Sequence, residues 1–193
     1  MARPRSFDEN KVLNQVMALF WEKGYGATSM TDIKAATGLK PGSLYDSFGD
    51  KQQLFLSAVE HYRNTVVRER LKKLLKPGNP RQRLETFFKD IVTFSLGEGR
   101  KLGCLMSNSA VELAPHDATM REIVGNNLNE ITHAFKQVIE EGIASGDFTT
   151  TESSIELAHF LTSTVQGLRV MAKSTAADDS LPMTTKMALK ILG

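Results

Sequence analysis

Residues 38–51 read GLKPGSLYDSFGDK, setting a glycine, a Lys-Pro-Gly triplet and a Leu-Tyr pair close ahead of Phe48 and Lys51. Gly38 permits a turn through positive φ, Leu39 folds back toward a core, and Pro41 stands where a first helical position loses nothing by lacking an N–H. A short helix therefore starts near Pro41. Within it Leu44 and Phe48, spaced i and i+4, share the face that binds the helix to its own domain. Lys40, Pro41, Gly42, Ser43, Tyr45 and Asp46 gather at or near its N-terminal half and are left to meet something outside.

Upstream, SMTDIKAAT opens with Ser29 and places Asp32 three residues later. That is the arrangement of a capping box, and Ile33 and Ala36 supply the inner face of a second short helix ending at Thr37. Further back, ENKVLNQVMALFWEKG carries Leu13, Val16, Met17 and Phe20 at i, i+3, i+4 and i+7, with Gly24 just past the end as a left-handed C-cap. Two short helices joined by about four residues, with Gly in the turn, make a helix-turn-helix, whose second helix can lie in the DNA major groove. The start of that helix suits phosphate. Gly42 allows close backbone approach, Ser43 and Tyr45 carry hydroxyl donors, free N–H groups favour an anion, and Lys51 adds a charge. Arg3 and Arg5 read either as a frayed tail or as an arm reaching the minor groove.

The run GYGATSMTDIKAATGLKPGSLYDSFGDKQQLF, residues 24–55, resembles the DNA-binding signature of the TetR family of transcriptional regulators, over about residues 7–60. The resemblance implies that Lys40, Pro41, Gly42, Ser43, Tyr45, Asp46, Ser47 and Lys51 touch DNA, with Tyr45 and Lys51 on the backbone and Pro41 and Asp46 nearest the bases. Many relatives have Ser or Thr where Lys40 stands and Lys where Pro41 stands, and several have His or Tyr at the positions of Asp46 and Ser47. Pro41 has no donor and reads only thymine methyls or shape, whereas Asp46 can accept from cytosine N4. The implied architecture is all-α: a three-helix DNA-binding domain over residues 1–51, a fourth helix over 51–75 connecting the domains, and a helical ligand-binding and dimerisation domain over 52–193.

The connecting helix shows its own stripe, Leu54, Ala58, Tyr62 and Val66, and ends at the KPGNPR break. Beyond it the periodicity predicts amphipathic helices over about 80–97, 103–114, 117–145, 153–174 and 181–192. Phe87, Phe88, Phe94, Cys104, Met106, Met120, Phe135 and Met171 are candidates to line a small-molecule pocket, although such a stripe at helical spacing is core more often than ligand box. Leu157, Leu161, Thr164, Leu168 and Met171, with Gly167 among them, form a stripe suited to dimerisation. Met183, Met187 and Ile191 complete the helix pair, unless the stripe faces its own core. Cys104 follows Gly103 at a helix start near Arg100 and Lys101, the setting of an activated thiol if accessible and of a small hydrophobe if buried.

Composition narrows the alternatives. The 193 residues are 41% hydrophobic and 24% charged, enough for a real core. A basic, polar start and no run long enough for a membrane span predict a cytoplasmic protein. A single cysteine excludes an internal disulfide, and neither metal-ligand spacing nor a cofactor motif is present. Residues 1–101 hold 18 Lys+Arg against 11 Asp+Glu, and residues 102–193 hold 6 against 11, a balance that suits the first half to a polyanion and that solvated helix faces also produce. Cys104 with His116 or His133 is the one enzyme-like pairing, and no catalytic motif accompanies it. The sequence thus reads as a non-enzymatic, homodimeric repressor that leaves a palindromic operator when a small-molecule inducer binds. The alternatives are an electrophile or oxidant sensor acting through Cys104, and a DNA-binding protein without a ligand.

Overall fold

A computed structural model describes residues 7–174 and 177–193; Arg3 and Arg5 lie outside the described residues. Every regular element among the described residues is helical. The chain divides into two compact units, Met1–Thr65 and Val66–Gly193.

The first unit contains α1 (Glu9–Lys23), α2 (Met30–Thr37), α3 (Pro41–Phe48) and α4 (Lys51–Tyr62). Side chains or special backbone mark its helix ends, as the sequence predicts. Asp8 accepts from the amides of Asn10 and Lys11 at the start of α1, and Asp50 accepts from Gln53 at the start of α4. Ser29 and Asp32 form the full capping box of α2, and Gly38 closes that helix in the left-handed region at φ 68°. Gly24 also has positive φ, but its ψ of 171° is extended, so the exit from α1 is straighter than a left-handed cap. The core is aromatic. Phe20 is fully buried and meets Phe55 edge to face at 4.8 Å, while Tyr25 meets Phe55 at 5.0 Å.

Asp32 also binds Lys23 at 2.8 Å, tying the start of α2 to the end of α1. The Lys23 hydrogen bond, and after it the Ser29 hydroxyl and amide, hold the Asp32 carboxyl well below its ordinary range. A depressed carboxylate contributes stability that is fully present above its unfolded value near pH 4 and is lost as pH falls toward the folded one. Urea midpoints of the parent chain and Asp32→Asn are therefore expected to differ at pH 7 and to converge below pH 4. A constant gap would show that the charge is irrelevant.

The expected break at residue 51 falls too early. α4 buries Leu54, Phe55, Ala58, Val59 and Tyr62, and packs along α1, so it belongs to the first unit. Nor is residues 51–75 one uninterrupted α-helix. A π-helical turn at Arg63–Val67 separates α4 from α5 (Arg68–Leu74). The wider turn accommodates one extra residue. It carries the buried stripe from Leu54, Ala58 and Tyr62 onto Val67, Leu71 and Leu74, leaving Val66 only half-buried.

The second unit continues through α6 (Pro80–Leu96), a 3-10 turn (Glu98–Arg100), α7 (Leu105–Glu112), α8 (Ala118–Ser145), α9 (Ser154–Met171) and α10 (Ala177–Lys190). α10 begins ahead of the expected residue 181 and takes Pro182 into its early turns. α8 and α9 form its most extensive helix pair. They are pinned by a buried hydrogen bond of 2.9 Å between the Thr132 and Thr162 hydroxyls. Phe87 and Phe88 of α6 and Phe135 of α8 make a ring cluster with centroids 5.2–5.9 Å apart. Among the described residues no helix is long and apolar enough to cross a membrane.

Candidate nucleic-acid interface

α3 is held from beneath and open from above. Leu44 and Phe48 are buried, whereas Lys40, Pro41, Gly42, Tyr45 and Asp46 are exposed and Ser43 and Ser47 are half-buried. Pro41 occupies N1, and Lys40 is the N-cap without a side-chain hydrogen bond, as an ammonium carries donors only and cannot accept from the first-turn amides. Tyr45, a large aromatic at 48% exposure, stands outside the core.

Lys51 opens the next helix, α4. Its ammonium lies 4.3 Å from the centroid of the Tyr25 ring, an attraction between cation and ring quadrupole that restricts a flexible side chain. Tyr25 is itself wedged against Phe55 and stacked on Phe20 at 6.2 Å. Tyr25 as a platform for Lys51 was not evident in the sequence; the only signal was an aromatic residue directly after Gly24. The expected residues 40–43, 45–47 and 51 thus come from two consecutive helices and the turn entering the first.

Gly42 tests what this face is for. A Cβ built there meets nothing within 4 Å, and its φ lies outside the left-handed region, so the fold itself does not require glycine. Gly42→Ala is expected to leave stability unchanged or raise it by up to about 1 kcal/mol, as helix propensity favours alanine. The same change should weaken DNA binding by crowding a phosphate. Thermal unfolding and a DNA titration on one preparation check both; unaltered DNA affinity would remove Gly42 from the interface.

In the second unit the expected residues scatter. Phe88, Met106, Met120 and Phe135 are at most 1% exposed and behave as core. Phe87 is buried but borders a cavity between α5 and α6. Phe94 is half-buried with the guanidinium groups of Arg70 and Arg169 each 5.0 Å from its centroid. Cys104 is buried at the N-cap of α7. Met171 is on the exposed surface.

The dimer stripe needs correction. Leu157, Leu161 and Leu168 are buried within their own unit, so they do not face a partner. Thr164 is half-buried and bonds the Phe160 carbonyl. Of the large apolar residues of that stripe only Met171 is exposed on α9, and the other large apolar side chains exposed there include Phe160 and Val170, which the stripe did not name. On α10, Met183 and Met187 are exposed, as is Ile191 just past its end.

Charge is also placed differently from the sequence expectation. Residues 1–65 hold 8 Lys+Arg against 7 Asp+Glu, whereas residues 66–101 hold 10 against 4. The surplus of the first half therefore belongs to α5, α6 and their flanks, not to the helix-turn-helix unit.

An all-helical chain with an open recognition helix over a buried Leu-Phe pair is the framework of a DNA-binding transcriptional regulator, and the comparisons agree. Residues 12–58 match the model of bacterial regulatory proteins of the tetR family, and residues 80–187 match that of the tetracyclin repressor-like C-terminal domain. YezE of Bacillus subtilis (strain 168), an uncharacterized HTH-type transcriptional regulator, is 31% identical over 196 residues, covering 100% of both chains. The HTH-type transcriptional repressor ComR of Escherichia coli (strain K12) is 26% identical over 190 residues, covering 98% of this chain and 90% of its own. Among solved structures, a cysteine mutant of the TetR family regulator CifR, complexed with 26 bp double-strand operator DNA, superposes with a TM-score of 0.85. It has 29% identity over 99% of this chain and 100% of that one. The chain belongs to the tetR family of bacterial regulatory proteins, a family of transcriptional regulators and not of enzymes.

Proposed function

We propose that the chain is a cytoplasmic repressor that binds a palindromic operator as a homodimer and is released when a small molecule occupies its second unit. The observation carrying this reading is the α3 face: Lys40, Pro41, Gly42, Tyr45 and Asp46 are all exposed on a helix whose other side is fixed by Leu44 and Phe48. The repressor name of the relative ComR and the operator complex of CifR support it. A ligand can release DNA only by binding more tightly to a state that binds DNA poorly. The π turn at Arg63–Val67, where the chain passes from the first unit to the second, offers a local helix irregularity for such a change.

Footprinting on the DNA upstream of its own gene tests the reading. The expected result is a protected, roughly two-fold symmetric site whose half-sites lie one helical turn apart or a multiple of it, with affinity falling steeply as salt rises. Equal protection of all DNA would overturn operator recognition.

A second reading, sensing through Cys104, is favoured by one contact. Lys173 runs against Gly103, where a Cβ would lie 2.6 Å from its Cε, and donates to Asn108 at 2.8 Å on α7. Arg100, one of the expected positive neighbours, is instead engaged by Asp178 at 3.0 Å, and Lys173 adds a charge beside the start of α7. On this reading an electrophile releases the parent chain from operator but not Cys104→Ser. Equal release of both, or no reaction until denaturation, makes Cys104 a core residue.

A further inference from the structure

We propose that the cavity between α5 and α6 is a binding site for a small organic carboxylate, its anionic end held by Arg83, Arg70 and Lys73 and its apolar body lying on Leu74 and Phe87. This deepens the repressor reading by naming the chemical class of its effector, and rests on that reading only for its consequence at DNA. The cavity has a volume of about 260 Å³ and is bordered by both helices and by the Gly78 and Asn79 turn between them. That is room for a single-ring compound. It also lies in the most basic stretch of the chain, the residues 66–101 whose charge the helix-turn-helix does not use.

Arg83 is the strongest indication. Its side chain is only 10% exposed. Nε donates to the Leu74 carbonyl at 2.8 Å, and Nη1 reaches the Gly78 carbonyl and pairs with Glu141. Those contacts fix the plane of the guanidinium. Nη2 is buried and has no hydrogen-bond partner among the described residues. An unsatisfied donor on a buried charged group is costly, and the guanidinium that carries it belongs to a residue lining the cavity, where a carboxylate is the partner that suits it.

The other charges orient the ligand. Arg70 is turned onto the Phe94 ring, and Lys73 is exposed; neither forms an ion pair among the described residues. Asp90 is the one carboxylate on the lining. It stands two turns along α6 from Arg83, about 10 Å at the helical rise, and repels an anion toward the Gly78 and Arg83 end. Asn79 is committed to capping α6 and to Asp147, so it adds shape instead of charge.

The test titrates the full chain with benzoate, with the uncharged benzamide and with inorganic phosphate, following backbone amides by NMR. Benzoate is expected to shift the amides of residues 70–90, with benzamide and phosphate each at least tenfold weaker. Lys73→Glu should weaken benzoate by about tenfold or more while leaving the fold intact, since Lys73 is exposed. Arg83→Gln should do the same, and Lys73→Glu alone decides the matter if that variant fails to fold. Equal affinity for benzamide, or no shift in this segment at millimolar benzoate, overturns the site. An operator titration separates the two readings. If benzoate binds here and operator affinity is unmoved, the site stands and its effector role falls. If another compound releases operator without moving these amides, the repressor reading stands and this cavity is not the effector site.

Discussion

Sedimentation of a Met183→Asp, Met187→Asp chain is expected to show a monomer at micromolar concentration where the parent chain shows a dimer. Met183 and Met187 are 66% and 63% exposed, and Phe160, Val170 and Met171 on α9 and Ile191 just past α10 are also large apolar side chains facing outward. α9 and α10 pack on each other, so the two stripes belong to one helix pair. Monomeric proteins rarely leave such a surface to water. A second copy presenting the same pair through a two-fold axis is the self-complementary way to cover it. Each aspartate sets a charge where the partner's apolar surface would desolvate it, and a two-fold contact doubles the number introduced. The fold should survive because both methionines are mostly exposed in the single chain. Loss of the dimer should also lower operator affinity by about 10²–10⁴-fold, because two reading helices no longer act as one linked binder. A parent chain that is itself monomeric, or a variant that still dimerises, would end the proposal of dimerisation through this face.

The correction at α9 shows what a periodic pattern can say. Leu157, Leu161 and Leu168 recur at helical spacing and are buried, so the pattern reported burial faithfully; it did not report by whom. α9 is apolar on two sides, and a one-dimensional period cannot distinguish a face covered by α8 from one covered by another chain. The helix-turn-helix was legible for the opposite reason. Its ends are set by local chemistry at named residues, the Ser29 and Asp32 box, the Gly38 turn and Pro41 at N1, and none of these depends on a distant neighbour. The π turn at Arg63–Val67 escaped because a shift of the apolar stripe by one residue looks like ordinary irregularity in a helix. The charge surplus was counted correctly but assigned to the wrong unit, since a boundary drawn at residue 101 merges the nearly neutral first unit with the basic α5 and α6. The candidate cavity was legible only through Phe87; Arg83 became visible once its hydrogen bonds were known.

Phe20→Ala is expected to abolish DNA binding while leaving the second unit folded. Phe20 is fully buried at the centre of the first unit, edge to face with Phe55 at 4.8 Å and stacked with Tyr25 at 6.2 Å. Removing a buried phenyl group costs about 3–5 kcal/mol, the lost transfer free energy plus the cavity left behind. A unit of this size buries a smaller fraction of its surface than a large domain, so a loss on that scale approaches its whole stability. The vacancy also undercuts the ring beneath Lys51. Tyr25 is packed on Phe20 and Phe55 and carries the Lys51 ammonium at 4.3 Å, so even molecules that stay folded should hold that charge less firmly. Phe20→Leu, which retains most of the apolar volume, should keep most of the stability and much of the binding. Calorimetry of Phe20→Ala should show an early, small transition followed by one near the parent temperature, and far-UV dichroism should show helix lost in proportion to the first unit alone. A single cooperative transition shifted as a whole would show that the two units unfold together. An unshifted one with DNA binding intact would mean that the aromatic cluster does not support the reading helix.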